Sequence, residues 1–174
     1  MTLSDIASIG SLISGLAVLV SLVYLSLQFR QTERNQQASI RQGRINRAVE
    51  LMTTRMEPAV AEAVSNAIEG DPNLTPQQLA LFESYADAYF LHAEDTYYQH
   101  EAGLLNESAF RTFAAYQKFA FAQTGWRVQW RRQRAYYTGA YVAFMDEQLA
   151  GAAVAPPRDA LAEWQAEVLA ERAL

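Results

Sequence analysis

Residues 5–31 read DIASIGSLISGLAVLVSLVYLSLQFRQ, and from Ile6 to Phe29 they run 24 residues without a charge. A helix of that length is about 36 Å long, more than the roughly 30 Å of hydrocarbon in a bilayer. A soluble core helix would show a polar face, whereas here the polar side chains are hydroxyls until Gln28. A cleaved secretory signal would carry a positive start, a shorter apolar run and a small-x-small site. The charges ahead of this run are Asp5 and the terminal amine, and its far end is VYLSLQFR. Tyr24 and Phe29 suit the aromatic position at a membrane–water boundary. The stretch predicts a retained transmembrane helix over 6–29, with residues 1–29 as a membrane anchor.

The flanks set the expected orientation. Arg30, Arg34, Arg41, Arg44 and Arg47 follow the span against a lone Glu33, and the N-terminal tail holds no Lys or Arg. The positive-inside rule then places the tail outside and the rest of the chain in the cytoplasm. The absence of cysteine is compatible with either side and decides little.

Beyond the anchor, Gly and Pro are sparse, strand-like alternation is missing, and Ala, Leu, Gln, Glu and Arg are plentiful. The expected fold class is all-α: an N-terminal transmembrane helix continuing into a cytoplasmic bundle of about four further helices. Residues 30–69 are expected as a long juxtamembrane helix, and 70–174 as a cytoplasmic helical domain. Within 30–57, Gly43 is the one glycine and there is no proline, while Ile45, Val49, Met52 and Met56 fall at 4-3-4 spacing, an apolar stripe. Pro58 marks a kink or a new start, after which Val60, Ala63, Val64, Ala67 and Ile68 extend the stripe to a stop at EGDPN. Thr75, Pro76 and Gln78 form a capping-box start for a helix ending near Gly103. Asn106 caps the next, which Thr124–Gly125 break. A fourth runs from Trp126 to Ala150, with an interruption allowed at Thr138–Gly139. After the GAAVAPP turn, the last helix should point Leu161, Trp164, Val168 and Leu169 inward.

Charge is sorted along these elements. Pro58 to Phe110 holds nine acids and no Lys or Arg, while Arg111 to Arg134 holds six bases and no acid. The two blocks are expected to pack as neighbours, each exposed pair being worth under about 1 kcal/mol. The net charge of −5 argues against a general nucleic-acid binder.

Chemistry-bearing motifs are scarce. His92, Glu94, Asp95, His100 and Glu101 are metal-ligand types, yet Glu-x-x-His and HExxH spacings are missing. On one helix His92 and His100 would stand about 12 Å apart, too far to share one metal. No GxSxG, catalytic cysteine or Gly-rich phosphate loop is present. The chain is read as non-enzymatic, with no catalytic residue, cofactor or metal assigned.

GWRVQWRRQRAYY, starting at Gly125, is the most distinctive later stretch. Trp126 and Trp130 lie one turn apart, and Arg127, Arg131 and Arg134 recur at i, i+4 and i+7. Either the tryptophans are core and the arginines meet the acidic helix, or the arginines meet anionic headgroups, with Trp at the boundary. Phosphate or nucleic-acid contact is the third reading, weakened by the overall acidity.

Within the span, Ala7, Ser11, Ser14, Val18, Ser21, Leu25 and Gln28 follow a 4-3 seam of mostly small or polar residues. Such a face lets transmembrane helices approach closely, with hydroxyls bonding across the contact. Serines in spans also bond their own helix's carbonyls, which makes the seam mute.

The opening IGSLISGLAVLVSLVYLSLQFRQTERNQQA resembles a widespread group of uncharacterised bacterial single-pass inner-membrane proteins. Those proteins pair an IxxLVYLxxQxRQ-like anchor with an all-helical cytoplasmic part. YYQHEAGLLNESAF and GWRVQWRRQRAYYTGAYVAFMDE are similar to later segments of that group. The resemblance implies a bacterial inner-membrane setting and no particular activity.

Two functions are expected on this basis. The first is a non-catalytic membrane-anchored interaction protein, an accessory or scaffold subunit of a larger membrane complex. The second is a homo-oligomeric assembly through the small/polar seam, with or without a pore, although no charged ring marks a filter. The partners implied are the lipid bilayer and other membrane subunits or copies of the chain, with no nucleic acid.

Overall fold

The computed structural model describes residues 3–156 and 159–173, with side-chain surroundings from Leu12 onward. Among these residues the chain is all helical: α1 (Leu3–Thr54), α2 (Pro58–Glu69), α3 (Pro76–Glu101), α4 (Glu107–Ala120), α5 (Thr124–Gln133), a 3₁₀ turn (Arg134–Tyr136), α6 (Gly139–Gly151) and α7 (Ala160–Glu171). The chain divides into two compact units, residues 1–43 and 44–174. The division falls inside α1 and inside the 30–69 segment, so 30–43 goes with the first unit and 44–69 with the second.

In the first unit every side chain from Leu12 to Ser39 is exposed. The most apolar 18-residue window of α1 has a mean hydropathy of 2.0, and none of it is buried. By length and composition α1 can cross a membrane.

In the second unit the start and stop signals act locally. Past Thr54 the last turn of α1 tightens, with the Met56 N–H donating to Thr53 O at 3.0 Å, and Pro58 opens α2 where its missing N–H costs nothing. The long rod therefore breaks at Pro58. α2 stops at Gly70, whose φ of 86° is left-handed, while the Asp71 N–H reaches back to Asn66 O at 3.0 Å. At the start of α3 the Gln78 N–H donates to Thr75 Oγ1 at 3.2 Å and the Thr75 N–H to Gln78 Oε1 at 3.0 Å, the reciprocal box the sequence predicts. The Asn106 carboxamide oxygen accepts from the Ala109 N–H at 2.9 Å and caps α4. The expected helix from Trp126 to Ala150 is two helices, with the break at 134–138 adjoining the anticipated Thr138–Gly139 interruption.

The core joins Val64, Ala67 and Ile68 of α2 with Phe82, Ala86, Phe90 and Ala93 of α3. Trp126 and Trp130 of α5 and Tyr141 and Met145 of α6 close it. Tyr89 lies 4.4 Å from Trp126 between ring centroids, and Phe90 5.2 Å from Trp130. Each such aromatic contact adds about 0.5–1.5 kcal/mol beyond burial. Gly125 makes the approach of α5 to α2 possible, since a Cβ there would stand 1.8 Å from Ala67 O.

Two apolar stripes point outward, one of them the face of the last helix expected to turn inward. Ile45, Val49, Met52 and Met56 are 54, 53, 65 and 79% exposed. α1 instead turns Arg44, Ala48 and Leu51, each half-buried, toward the bundle, and Arg47 pairs with Asp95 of α3 at 2.6 Å. Leu161, Trp164 and Leu169 of α7 are also exposed, and Val168 is half-buried. The aromatic core is already closed by α5 and α6, leaving α7 without a groove to fill.

Candidate functional site

On the apolar run of α1, Ser14, Val18, Ser21, Leu25 and Gln28 are exposed. The side chains of Ala7 and Ser11 lie outside the described residues. The Ser21 hydroxyl donates to Ala17 O at 2.8 Å, and Gln28 Nε2 donates to the Tyr24 hydroxyl at 3.0 Å. Both polar groups find partners on their own helix, so neither needs a neighbour for satisfaction.

The Trp/Arg segment is mostly structural. Trp126 and Trp130 are 5% and 0% exposed, which removes them from any headgroup contact. The Trp130 indole N–H donates to Asp146 Oδ1 at 2.9 Å. Arg127 Nη1 donates to Phe121 O at 2.9 Å, Ala152 O at 3.1 Å and Leu149 O at 3.4 Å, tying the ends of α4 and α6 to α5. Arg134 pairs with Asp146 of α6. The contact with the acidic helix runs through Arg132, which meets Glu83 at 2.6 Å, and through Gln133, whose side chain donates to Asp87. Arg131 is exposed. Spacing alone grouped Arg127 with Arg131 and Arg134; the helix ends beside Arg127 give it a different role.

Sequence reasoning missed a cavity of about 430 Å³ under the end of α1. Arg44 and Leu51 of α1, Arg55 just past its end, Tyr85, Tyr89 and His92 of α3, Phe113 and Tyr116 of α4 and Trp126 of α5 line it. A neighbouring cavity of about 510 Å³ shares Leu51, Tyr85 and His92, and holds Arg47, Glu50 and Asp95. Burial pushes the His92 imidazole below its ordinary pKa, and Arg47 and Arg44 push the same way against Asp95. His92 is therefore neutral at physiological pH, and its buried Nδ1 has no hydrogen-bond partner among the described residues. Burial raises the Tyr85 hydroxyl, while the Arg55 guanidinium, hydrogen-bonded to it, pulls it back. The one signal in the sequence was the 4-3-4 spacing of Arg44, Ala48, Leu51 and Arg55, which runs beside the apolar stripe.

His100 stacks on Phe110 at 3.7 Å between centroids and meets Glu107 at 3.2 Å. It joins α3 to α4 and lies apart from His92. Among the described residues no three His, Asp or Glu side chains converge.

No protein family, no curated protein and no solved structure matches this chain.

Proposed function

We propose that the chain is a non-catalytic membrane-anchored interaction protein, an accessory or scaffold subunit of a larger complex in the bacterial inner membrane. In this reading the N-terminus lies outside and residues from Arg30 onward lie in the cytoplasm. The carrying observation is the exposed apolar stripe of Ile45, Val49 and Met52, continued by Met56 in the turn that follows, on a helix that begins as a membrane-length apolar run. Four neighbouring apolar side chains at helical spacing make a surface that water disfavours, and their burial against a partner would contribute about 0.8 kcal/mol per methylene. The arginines that follow the span support the orientation.

A second reading is a homo-oligomer assembled through the span's seam, which is exposed from Ser14 to Gln28. Local bonding of Ser21 and Gln28 weakens the polar drive for that contact.

The test is the mass and composition of the particle extracted in mild detergent, for the wild type and for a variant with Ile45, Val49 and Met52 changed to Ser. Foreign subunits held by the wild type and lost from the variant are expected. A particle built of this chain alone would support the second reading, and a lone monomer would contradict both.

A further inference from the structure

We propose that the cavity under the end of α1 binds a single-chain amphiphile with one anionic head, the head lying at Arg44 and His92. Among the described residues its lining includes Arg44 and Arg55 and no Asp or Glu. The neighbouring 510 Å³ cavity instead balances Arg47 against Glu50 and Asp95. In a chain with net charge −5, a pocket lined by cations and no acids is an anion site.

The shape argues for a chain rather than a compact molecule. The lining runs from Arg44 on α1 to Arg55 just past its end, from Tyr85 to Thr96 on α3 and from Ala109 to Ala120 on α4. Each stretch advances about 16 Å along its helix. A volume of about 430 Å³ drawn out over that length is one chain wide, and the walls between its ends are mostly apolar and aromatic, with Thr112 and Gln117 among them.

The two ends differ. At one, Arg55 shares the Tyr85 hydroxyl. At the other, Arg44 acts on His92, whose buried Nδ1 lacks a partner among the described residues. A carboxylate or phosphate at that end would accept from the neutral imidazole N–H and from the guanidinium, satisfying a polar atom that otherwise stays buried unpaired. This proposal does not depend on the chain having protein partners.

Trp126 lines the slot and serves as the reporter. The full chain in nanodiscs of neutral lipid, carrying Trp164→Phe to lower background, is titrated with dibromostearate, with a brominated lysophosphatidate and with a brominated long-chain alcohol. Saturable quenching by one or both anions and not by the alcohol is expected, and the stronger anion tells a carboxylate from a phosphate head. Arg44→Ala should weaken binding by roughly tenfold or more, the scale of one charge-assisted contact, while Arg55→Ala should weaken it far less. Ala109→Phe and Ala48→Phe, each filling the slot from a half-buried position, should abolish quenching in whichever variant keeps the wild-type melting temperature. No saturable quenching, equal quenching by the alcohol, or binding unchanged in Arg44→Ala would overturn the proposal.

Discussion

The indole N–H of Trp130, fully buried, donates to the Asp146 carboxylate at 2.9 Å, and the same carboxylate pairs with Arg134. Asp146→Ala would leave the indole donor buried and unpaired at a cost of about 1–3 kcal/mol. Asp146→Asn keeps an acceptor for the indole and loses the exposed ion pair, costing under about 1 kcal/mol. Denaturant unfolding followed by near-ultraviolet circular dichroism should rank them wild type, Asn, Ala. An Ala variant as stable as wild type would show that the bond does not matter.

Gly125→Ala should be the most damaging small substitution in the bundle. Its Cβ would meet the backbone of Ala67 and Ile68 rather than a yielding side chain. Backbone must move, and the expected loss is about 3 kcal/mol or more, seen as a lower melting temperature. Gly139→Ala is the control, because nothing stands within 4 Å of a Cβ there. Equal melting temperatures for the two variants would contradict the close packing of α5 on α2.

Arg127 and Arg131 should separate cleanly under substitution. Arg127→Met removes the donor that three backbone carbonyls share, and the loss should be about 1.5–3 kcal/mol. Arg131→Met, at an exposed site, should change stability by less than about 0.5 kcal/mol. Thermal melts of both variants decide it; equal effects would mean that Arg127 acts as a surface charge.

Much of this was legible in the sequence. Hard local rules set the Thr75–Gln78 box, the Asn106 cap and the break at Pro58, and each appears where expected. Which apolar stripe faces inward was not legible at two helices. Ile45, Val49, Met52 and Met56 are as periodic as a core stripe, but α1 is tied to the bundle on another face by the Arg47–Asp95 pair, a long-range fact. α7 is amphipathic by the same rule, and its apolar face is exposed because α5 and α6 already close the core. The role of Arg127 was hidden for a similar reason, since backbone carbonyls at two helix ends leave no trace in residue identity.

Alkaline pH should destabilise the bundle through its buried tyrosines. Burial lifts Tyr137 to about 12 and raises Tyr89 and Tyr141 as well. With folded values above the unfolded value of about 10, the protonated hydroxyl is favoured by folding, so this stabilisation is complete below pH about 10. It is lost as pH rises from about 10 through 12. Melting temperature measured across that window should fall, and Tyr137→Phe should make the fall shallower. An identical slope in the variant would contradict the burial argument.

The central claim, that the opening stretch is a retained anchor with its tail outside, is best tested by single-cysteine labelling in intact cells. The chain has no cysteine of its own, so Thr2→Cys and Ala173→Cys each report one place. With a membrane-impermeant maleimide, the account predicts labelling of Thr2→Cys in intact cells and of Ala173→Cys only after the membrane is opened, with both chains at full length and resistant to carbonate extraction. Labelling of Ala173→Cys in intact cells, or release of the chain by carbonate, would contradict it.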